Sequence, residues 1–272
     1  MRRAWKAAGL FGLWLALGAQ APVAAPAPPA KLSLWRLDCG TLGYDEPRKL
    51  PWNRTRLPLP CFLIRHGDAY MLWDTGISAS ALGSKAERAR LDRTIVDQLG
   101  DIGVRPDQIS VIAISHYHGD HTGQAAHFPK ARLVIAAKEL AALTATPTPK
   151  GAAPSHLQPW ISGGAPLVAA IEDVDIFGDG RVVAFHTPGH TPGHMSLMVK
   201  LAARTVLLSG DLWGSREDVL TQSMPDWSSS RAETAASRER FRRMALEEDA
   251  MTIIQHDEDD RLSLPLFPRA AE

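Results

Sequence analysis

One seven-residue segment, Ser-His-Tyr-His-Gly-Asp-His at positions 115–121, constrains this chain more than any other feature of its sequence. It follows an apolar run at residues 111–114 that has the length of a buried strand. Within six residues it offers four candidate metal ligands, His116, His118, Asp120 and His121. Packing of the core does not explain such a cluster of polar side chains, whereas neutral imidazoles and carboxylates are the ligands that a zinc-type ion binds. The alternating spacing directs the first two to one metal ion and turns the last two toward a second. The alternative is a polar active-site loop without metal.

Three further candidate ligands follow later apolar runs. His190 lies in the Thr-Pro-Gly-His-Thr-Pro-Gly turn of residues 187–193, Asp211 ends a Ser-Gly-Asp segment, and His256 follows Ile-Ile-Gln. Loops at the carboxyl ends of strands collect at one edge of a sheet. We therefore expect these side chains to join the first four, giving five His and two Asp. The strands predicted before them are residues 181–185, 206–208 and 251–254.

The composition supports a ligand set without thiolates. The 272-residue chain has 10 His and only 2 Cys, too few for a Cys-ligated zinc site or a disulfide scaffold. Its 30 Lys and Arg balance 30 Asp and Glu, which disfavours a nucleic-acid partner bound through phosphates. The length and the 45% of hydrophobic residues suit a globular α/β chain of one large or two small domains. No repeat or change of composition divides it.

Residues 1–30 are predicted to be a signal peptide with a short linker, and residues 31–272 to form the folded domain. Three basic residues precede an uncharged run of 13 residues, and an Ala- and Pro-rich stretch follows. The run is too short to span a bilayer core, and no later segment is apolar enough to do so. An uncleaved N-terminal anchor is the alternative. Export predicts a periplasmic or extracellular location, where Cys39 and Cys61 either pair or remain buried free thiols.

Short apolar runs dominate the chain and predict a strand-rich fold with interspersed helices. The predicted strands are residues 32–37, 61–66, 70–73, 111–114, 133–136, 181–185, 195–199, 206–208 and 251–254. The predicted helices are residues 79–99, 138–143 and 231–250. Residues 45–60 and 144–166 are predicted to be long loops, and the second is a candidate binding loop or lid.

Taken together, these motifs resemble those of the metallo-β-lactamase-fold superfamily. H-x-H-x-D-H, T-P-G-H-T-P-G, G-D and a late His occur in the order of that superfamily, and the resemblance covers residues 32–268. It implies an α/β fold of the αβ/βα type, a four-layer sandwich of two mixed β-sheets flanked by helices. It also implies two metal ions with a carboxylate between them. The first site would comprise His116, His118 and His190, the second Asp120, His121 and His256, and the bridge would be Asp211.

The resemblance also implies a reaction. Two adjacent metal ions lower the pKa of a bridging water, so that a hydroxide attacks a carbonyl carbon at neutral pH. Asp120 is then catalytic as well as a ligand, because it orients the hydroxide and carries a proton to the leaving group. Asp74, in a Trp-Asp-Thr-Gly turn, matches an Asp that supports the metal site in the family, with a simple turn-forming role as the alternative. His194 is expected to support the site rather than to bind metal.

Other stretches resemble the N-acyl-homoserine lactonase family, whose members open the lactone ring of quorum-sensing signals. They include Leu-Asp-Cys-Gly at 37–40 and Ile-Gln-His-Asp at 254–257. Class B β-lactamases lack a carboxylate at the position of Asp211, which weighs against β-lactam hydrolysis. A diiron redox role is disfavoured because His118 stands where that branch carries Glu. The resemblance predicts a secreted dinuclear lactonase, with hydrolysis of a thioester, ester, phosphodiester or β-lactam as the alternative.

One departure from that family concerns substrate contacts. Its members carry a Tyr shortly after the bridging Asp, whereas Leu, Trp213 and Gly follow Asp211 here. Either Trp213 or another donor, such as the hydroxyl of Tyr117, replaces that phenol, or the substrate differs. Four Trp in predicted loops either wall an apolar pocket for an acyl chain or anchor their loops. They are Trp52, Trp160, Trp213 and Trp227.

The predicted cofactors are two divalent metal ions. Five imidazoles and two carboxylates favour Zn, although Fe, Co and Mn are compatible with the same ligands. The predicted partner is a small-molecule substrate, with no nucleic acid and no membrane span once the leader is cleaved. The sequence leaves the oligomeric state open, with a dimer among the alternatives.

Overall fold

The computed structural model describes residues 30–43, 56–84, 88–224 and 228–272. The predicted leader lies outside these ranges except for its last residue, and Trp52 and Trp227 also lie outside them. Within the described ranges, no helix has both the length and the apolar character needed to cross a membrane.

The first β-sheet is mixed and has seven strands. In chain order these are β1 (Leu32–Gly43), β2 (Arg56–His66), β3 (Ala69–Trp73), β4 (Ala89–Arg90), β5 (Ile109–Ala113), β6 (Arg132–Ala136) and β7 (Leu167–Ala170). Across the sheet the order is β4-β1-β2-β3-β5-β6-β7. Pairing is antiparallel from β4 to β3 and parallel from β3 to β7. The loop with the first four predicted ligands therefore leaves the carboxyl end of a parallel strand, β5.

The second sheet is also mixed and has five strands. They are β8 (Val174–Asp175), β9 (Val182–His186), β10 (Met195–Lys200), β11 (Thr205–Leu208) and β12 (Met251–Ile253). The order is β12-β11-β10-β9-β8, in which only β11 and β12 pair in parallel. Because β9 and β11 are both antiparallel to β10, strands β9, β11 and β12 run in one direction. Their carboxyl ends meet at one edge.

Seven α-helices lie among the described residues, and most are short. They are α1 (Ile95–Asp101), α2 (Gly119–Thr122), α3 (Ala137–Leu143), α4 (Gln158–Ile161), α5 (Arg216–Thr221), α6 (Arg231–Glu247) and α7 (Glu258–Arg261). The predicted helices at 138–143 and 231–250 match α3 and α6 closely.

Side-chain alternation along the strands builds the layers. In β5, Val111 and Ala113 belong to the apolar cluster between the two sheets, whereas Ile112 belongs to a cluster on the outer face of the first sheet. In β11, Leu207 packs in an outer cluster with Phe241 of α6. Both sheets are therefore apolar on both faces, and helices cover the outer ones. The predicted four-layer αβ/βα sandwich is confirmed.

The predicted helix at residues 79–99 is wrong. The stretch opens with a 3₁₀ turn, Ala89–Arg90 forms strand β4, and α1 begins only at Ile95. The Thr94 side chain accepts a hydrogen bond from Asp97 N, and the Asp97 carboxylate accepts one from Thr94 N. This reciprocal cap starts the helix there, and the pairing of β4 with β1 fixes the chain before it in an extended form.

Strand β2 begins at Arg56, inside a predicted loop, rather than at the predicted residue 61. Pro58 and Pro60 argue against a strand because proline cannot donate to a ladder of hydrogen bonds. The pairing with β1 shifts between Asp38 and Thr41, and a bulge of this kind interrupts the ladder where the prolines lie. The strand therefore accommodates both prolines, and their carbonyl oxygens remain available for other donors.

The predicted surface loop at 144–166 is partly helical. A 3₁₀ turn at Pro154–Leu157 leads into α4. Leu157 and Trp160 are buried in the cluster on the outer face of the first sheet, and the Trp160 indole N–H donates to Ala131 O at 2.8 Å. These two side chains hold the segment against the domain. Strands β7 and β8, which follow it, were not predicted.

Cys39 and Cys61 form a disulfide between β1 and β2. Their Cα atoms are 5.7 Å apart, within the range that a disulfide requires. Both residues are fully buried. Of the two alternatives that the sequence leaves open, the structure contains the paired one.

Candidate metal centre

The structure brings all seven predicted ligands together at one edge of the sandwich. The loop after β5 supplies four of them from the first sheet, and the loops after β9, β11 and β12 supply three from the second. Their ligand atoms form two groups, each with all members within 4.8 Å of one another. The groups are His116, His118, His190 and Asp211, and Asp120, His121 and His256.

Three imidazole nitrogens converge in the first group. His118 Nδ1 lies 2.9 Å from His116 Nε2 and 3.1 Å from His190 Nε2, and the last two atoms are 3.2 Å apart. A tetrahedral ion with bonds of about 2.0–2.1 Å to nitrogen separates its ligand nitrogens by roughly 3.3 Å. The three rings therefore have the spacing of ligands around one ion.

Asp211 stands between the two groups. Its Oδ2 lies 3.5 Å from His190 Nε2 and 3.8 Å from His116 Nε2, both in the first group. Its Oδ1 lies 3.3 Å from His121 Nε2 and 3.0 Å from His256 Nε2, both in the second. One carboxylate oxygen thus faces each group, which is the arrangement expected of a bridging ligand.

Some of these atoms are buried without any hydrogen-bond partner in the described part of the chain. They include His121 Nε2 and Asp211 Oδ1. His121 Nε2 also faces Asp120 Oδ2 at 3.7 Å. Buried polar atoms without partners are costly, and these atoms point at a common centre. The donor set fits two divalent metal ions, which would supply the missing partners.

Asp74 holds His121 from behind. Its carboxylate accepts hydrogen bonds from Ser115 N at 2.7 Å and Ser115 Oγ at 2.9 Å, and its Oδ2 lies 2.8 Å from His121 Nδ1. A proton on Nδ1 leaves Nε2 free to face a metal, as is usual for metal-binding histidines. Asp74 has a φ of +57°, in the left-handed region that Asp tolerates better than most residues. Asp74 therefore adopts the backbone conformation of the turn and also contacts His121, so the two interpretations of this residue are compatible.

Two other ligands are held from outside the ligand groups, one by a backbone carbonyl and one by an imidazole. The carbonyl oxygen of Pro58, in the part of β2 that was not predicted, accepts a hydrogen bond from His256 Nδ1 at 3.0 Å. His194 Nδ1 lies 3.0 Å from Thr187 O, and His194 Nε2 accepts a hydrogen bond from Asp211 N at 2.9 Å. His194 therefore fixes the backbone of the bridging residue from outside the two ligand groups.

Protonation in the cluster follows from burial and charge. Burial lowers the pKa of His116 and of His190 well below the usual value, which leaves both rings neutral and able to bind metal. Burial also opposes the charging of His121, but the surrounding carboxylates, Asp211 foremost, raise its pKa well above the usual value. A metal ion that binds His121 therefore displaces a proton, so its affinity falls as the pH falls.

The predicted substrate-contacting residues lie in different surroundings. Trp160 and Trp213 are each 1% exposed, and Trp213 packs edge-on against Phe241 at 5.3 Å between ring centroids. This burial supports the loop-anchoring interpretation over the pocket-wall one. Tyr117 is 6% exposed, and its ring lies edge-on to that of His118, with ring centroids 5.0 Å apart.

Glu139 is a residue that the sequence analysis missed. It is fully buried on α3, and its carboxylate accepts hydrogen bonds from Tyr117 N at 2.8 Å and Gly193 N at 2.6 Å. The available signal was helical spacing, since Glu139 and the buried Leu143 are four residues apart and share one face. The role of the Pro58 carbonyl had no such signal, because every residue carries one.

The segment before α4 lies against the ligand loop. Gly119 N donates to Gly151 O at 3.0 Å, and His118 forms an isolated antiparallel bridge with Ala152. Gly151 has a φ of +85°, and a Cβ there would lie 2.6 Å from His118 Cδ2. Both the backbone conformation and the contact therefore require glycine. The segment predicted as a binding loop or lid borders the metal centre.

The fold and the ligand set define a class of proteins. Residues 54–256 match the family model of the metallo-β-lactamase superfamily, and the chain belongs to that superfamily. It is an enzyme of the metal-dependent hydrolase type.

Individual relatives narrow the comparison. The N-acyl homoserine lactonase AttM of Azorhizobium caulinodans is 27% identical over 241 residues, which cover 79% of this chain and 86% of the relative. An N-acyl homoserine lactone hydrolase, solved with N-hexanoyl-L-homoserine at its catalytic metal centre, has a TM-score of 0.73 and 22% identity, covering 90% of this chain and 100% of that one. A dizinc quorum-quenching lactonase solved with a product has a TM-score of 0.63 and 18% identity, covering 90% and 91%. The two structural similarities establish the fold.

Asp74→Asn is expected to weaken binding of the metal ion held by His121 by roughly 10–100-fold. Asn tolerates the left-handed backbone but offers one oxygen where Ser115 and His121 occupy two. Titration of the metal-free protein against a competing chelator measures the loss. The exposed Asp107, which pairs with Arg105, provides the control, since Asp107→Asn keeps every contact of the centre. Wild-type affinity in Asp74→Asn would contradict the role of Asp74.

Proposed function

We propose that this protein is a dinuclear metal-dependent lactonase that opens the ring of N-acyl homoserine lactones. The observation that carries the proposal is the carboxylate of Asp211, whose two oxygens face the two ligand groups at 3.0–3.8 Å. Class B β-lactamases of the superfamily lack a carboxylate at this position, whereas its lactonases, its thioesterases of the glyoxalase II type and its phosphodiesterases keep one. The relatives described above are named lactonases or lactone hydrolases, and two of them were solved with the ring-opened product bound. These similarities support the same substrate class.

Asp120 is the residue that we assign to proton transfer. Two bound divalent ions would supply a water of lowered pKa and polarise the lactone carbonyl. The side chain of Asp120 is 19% exposed, whereas that of its neighbour His121 is fully buried. Asp120 can therefore reach an incoming water, orient it and pass its proton to the departing ring oxygen. The water oxygen joins the carbonyl carbon, the ring C–O bond breaks, and the product is an N-acyl homoserine.

Zinc is the metal that we propose for both sites. Five imidazoles and two carboxylates form a ligand set that zinc accepts readily. The similarity to a lactonase described as dizinc points the same way.

We also propose that the protein is exported through cleavage of a leader within residues 1–30, leaving residues 31–272 as the enzyme. The leader combines a basic start with an uncharged apolar run. The Cys39–Cys61 disulfide supports this location, because disulfides persist in oxidising compartments and are rare in the cytosol.

On protein of measured metal content, N-acyl homoserine lactones are expected to be hydrolysed with a kcat/KM at least about 100-fold above that for a thioester, a carboxylic ester, a phosphodiester or a β-lactam. Each reaction releases an acid, so titration at constant pH measures all of them in the same way. Acyl chains of several lengths and a simple lactone separate recognition of the ring from recognition of the chain. No lactone turnover by fully loaded enzyme would reject the proposal, and faster turnover of another compound would identify the alternative.

Asp120→Asn is expected to retain both metal ions, because the Asn amide oxygen can still bind a metal, and to lower kcat by about 10²–10⁴-fold because it cannot carry the proton. Steady-state kinetics together with elemental analysis measure both effects. Asp107→Asn again serves as the control with wild-type kcat. A fully loaded Asp120→Asn enzyme with undiminished kcat would contradict the proton-transfer role.

Export is tested by expressing the full chain and residues 31–272 in parallel in a bacterium. The full chain is expected in the periplasm with a shortened N-terminus and no titratable thiol. The shortened chain is expected in the cytosol with both thiols free, because that compartment is reducing. A full chain that stays in the cytosol with its N-terminus intact would contradict export.

A further inference from the structure

We propose that Glu139 is a positioning residue that holds the ligand loops of the two sheets in the arrangement required by the first metal ion. The proposal concerns metal binding and makes no use of the substrate. It therefore stands independently of the assignment as a lactonase.

Glu139 links two separate loops through its two oxygens. Oε2 accepts a hydrogen bond from Tyr117 N at 2.8 Å, and Oε1 accepts one from Gly193 N at 2.6 Å. Tyr117 lies between the ligands His116 and His118, in the loop after β5 of the first sheet. Gly193 lies three residues after His190, in the turn between β9 and β10 of the second sheet. One carboxylate thus joins the sources of all three imidazoles of the first group.

The turn that carries Gly193 lies in close contact with the residues that begin α3. A Cβ on Gly193 would lie 2.9 Å from Glu139 N, 3.0 Å from Ala136 Cβ and 3.1 Å from Glu139 Cγ. The turn therefore lies directly against the start of α3, and only glycine allows this approach. One further bond, from Met195 N to Ser115 O at 2.8 Å, joins the same two loops through the backbone alone. Glu139 is the side chain that completes this junction.

A carboxylate in this position is expensive for the fold. Glu139 is fully buried, and no ion pair to it is found among the described residues. Burial raises the pKa of its carboxyl to about 7, although the Thr191 hydroxyl and the two backbone N–H donors act in the opposite direction. A neutral Gln would avoid the charge, but its amide offers one acceptor oxygen and would turn an NH₂ group toward the second N–H. Only a carboxylate can accept both bonds.

The two N–H groups lie close in sequence to the metal ligands, so loss of either bond removes the link that the Glu139 side chain makes between the two loops. The three imidazole nitrogens lie 2.9–3.2 Å apart, and their mutual repulsion in the metal-free state tends to separate them. A brace outside the ligand set resists that separation. Outer groups that orient metal ligands typically change metal affinity by about 10–100-fold when they are removed.

The test uses the full-length protein with Glu139→Gln and Glu139→Ala, stripped of metal and titrated with Zn²⁺ against a chromogenic chelator. The Kd of the ion held by the first ligand group is expected to rise by about 10-fold in Glu139→Gln, which keeps one of the two bonds to backbone N–H groups. It is expected to rise by about 100-fold in Glu139→Ala, which keeps neither. In both variants the absorption spectrum of the Co²⁺-substituted protein is expected to differ from that of the wild type, because it depends on how the imidazole ligands are arranged around the ion.

Ile109→Val is the matched control for a general loss of stability. Ile109 is 1% exposed and opens β5, at the end of the strand opposite the ligand loop. This variant removes one buried methyl group without touching the junction, so its first-ion Kd and Co²⁺ spectrum are expected to match the wild type. If Glu139→Gln folds by circular dichroism and also matches Ile109→Val in both measurements, the proposal is overturned. Because no substrate is used, this outcome is distinct from a failure of the lactonase assignment.

Discussion

The organisation of this protein depends on one electrostatic constraint, the convergence of seven ligand side chains on a small buried volume. Three imidazole nitrogens approach within 2.9–3.2 Å of one another, and the Asp211 carboxylate separates them from a second group of ligands. Nitrogens that face one another with lone pairs at these distances repel, and His121 Nε2 and Asp211 Oδ1 are buried without a hydrogen-bond partner among the residues that the structure describes. Two cations would turn this repulsion into coordination. The rest of the fold holds the seven side chains in the positions that such ions would require.

The ligands come from loops on both sheets, and residues that are not themselves ligands hold several of them in position. Asp74 fixes His121, the carbonyl of Pro58 fixes His256, and His194 fixes the backbone of Asp211. Asp74 and His194 each come from the same sheet as the residue they hold, whereas Pro58 comes from the other sheet. The apolar cluster between the sheets packs them together and so brings the ligands of the two sheets to one edge.

The sequence predicted some levels of this structure better than others. The strands of the core were recognised because a short apolar run bounded by polar residues is a local pattern, as at residues 111–114. The helix predicted at residues 79–99 was wrong because apolar spacing alone did not account for the cap at Thr94 or the pairing of Ala89–Arg90 with β1. The start of β2 was missed because Pro58 is compatible with a strand only beside an irregularity in its partner. In the first error a local cap and a pairing distant in sequence both override the apolar spacing, and in the second the pairing with β1 alone overrides a local preference.

The sequence by itself determined the chemistry of the centre. Imidazole and carboxylate are the only abundant metal-ligand groups in a chain with 10 His and 2 Cys. Because four of the ligands lie within one short segment, the sequence of that segment alone predicts a metal site. Only the tertiary structure decided which atoms meet. His256 and Pro58 are 198 residues apart, Cys39 and Cys61 join across two strands, and Glu139 reaches loops from both sheets. The physical reason is that an acceptor such as a carbonyl or a buried carboxylate acquires its role from the direction of its neighbours, and that direction exists only once the two sheets have packed.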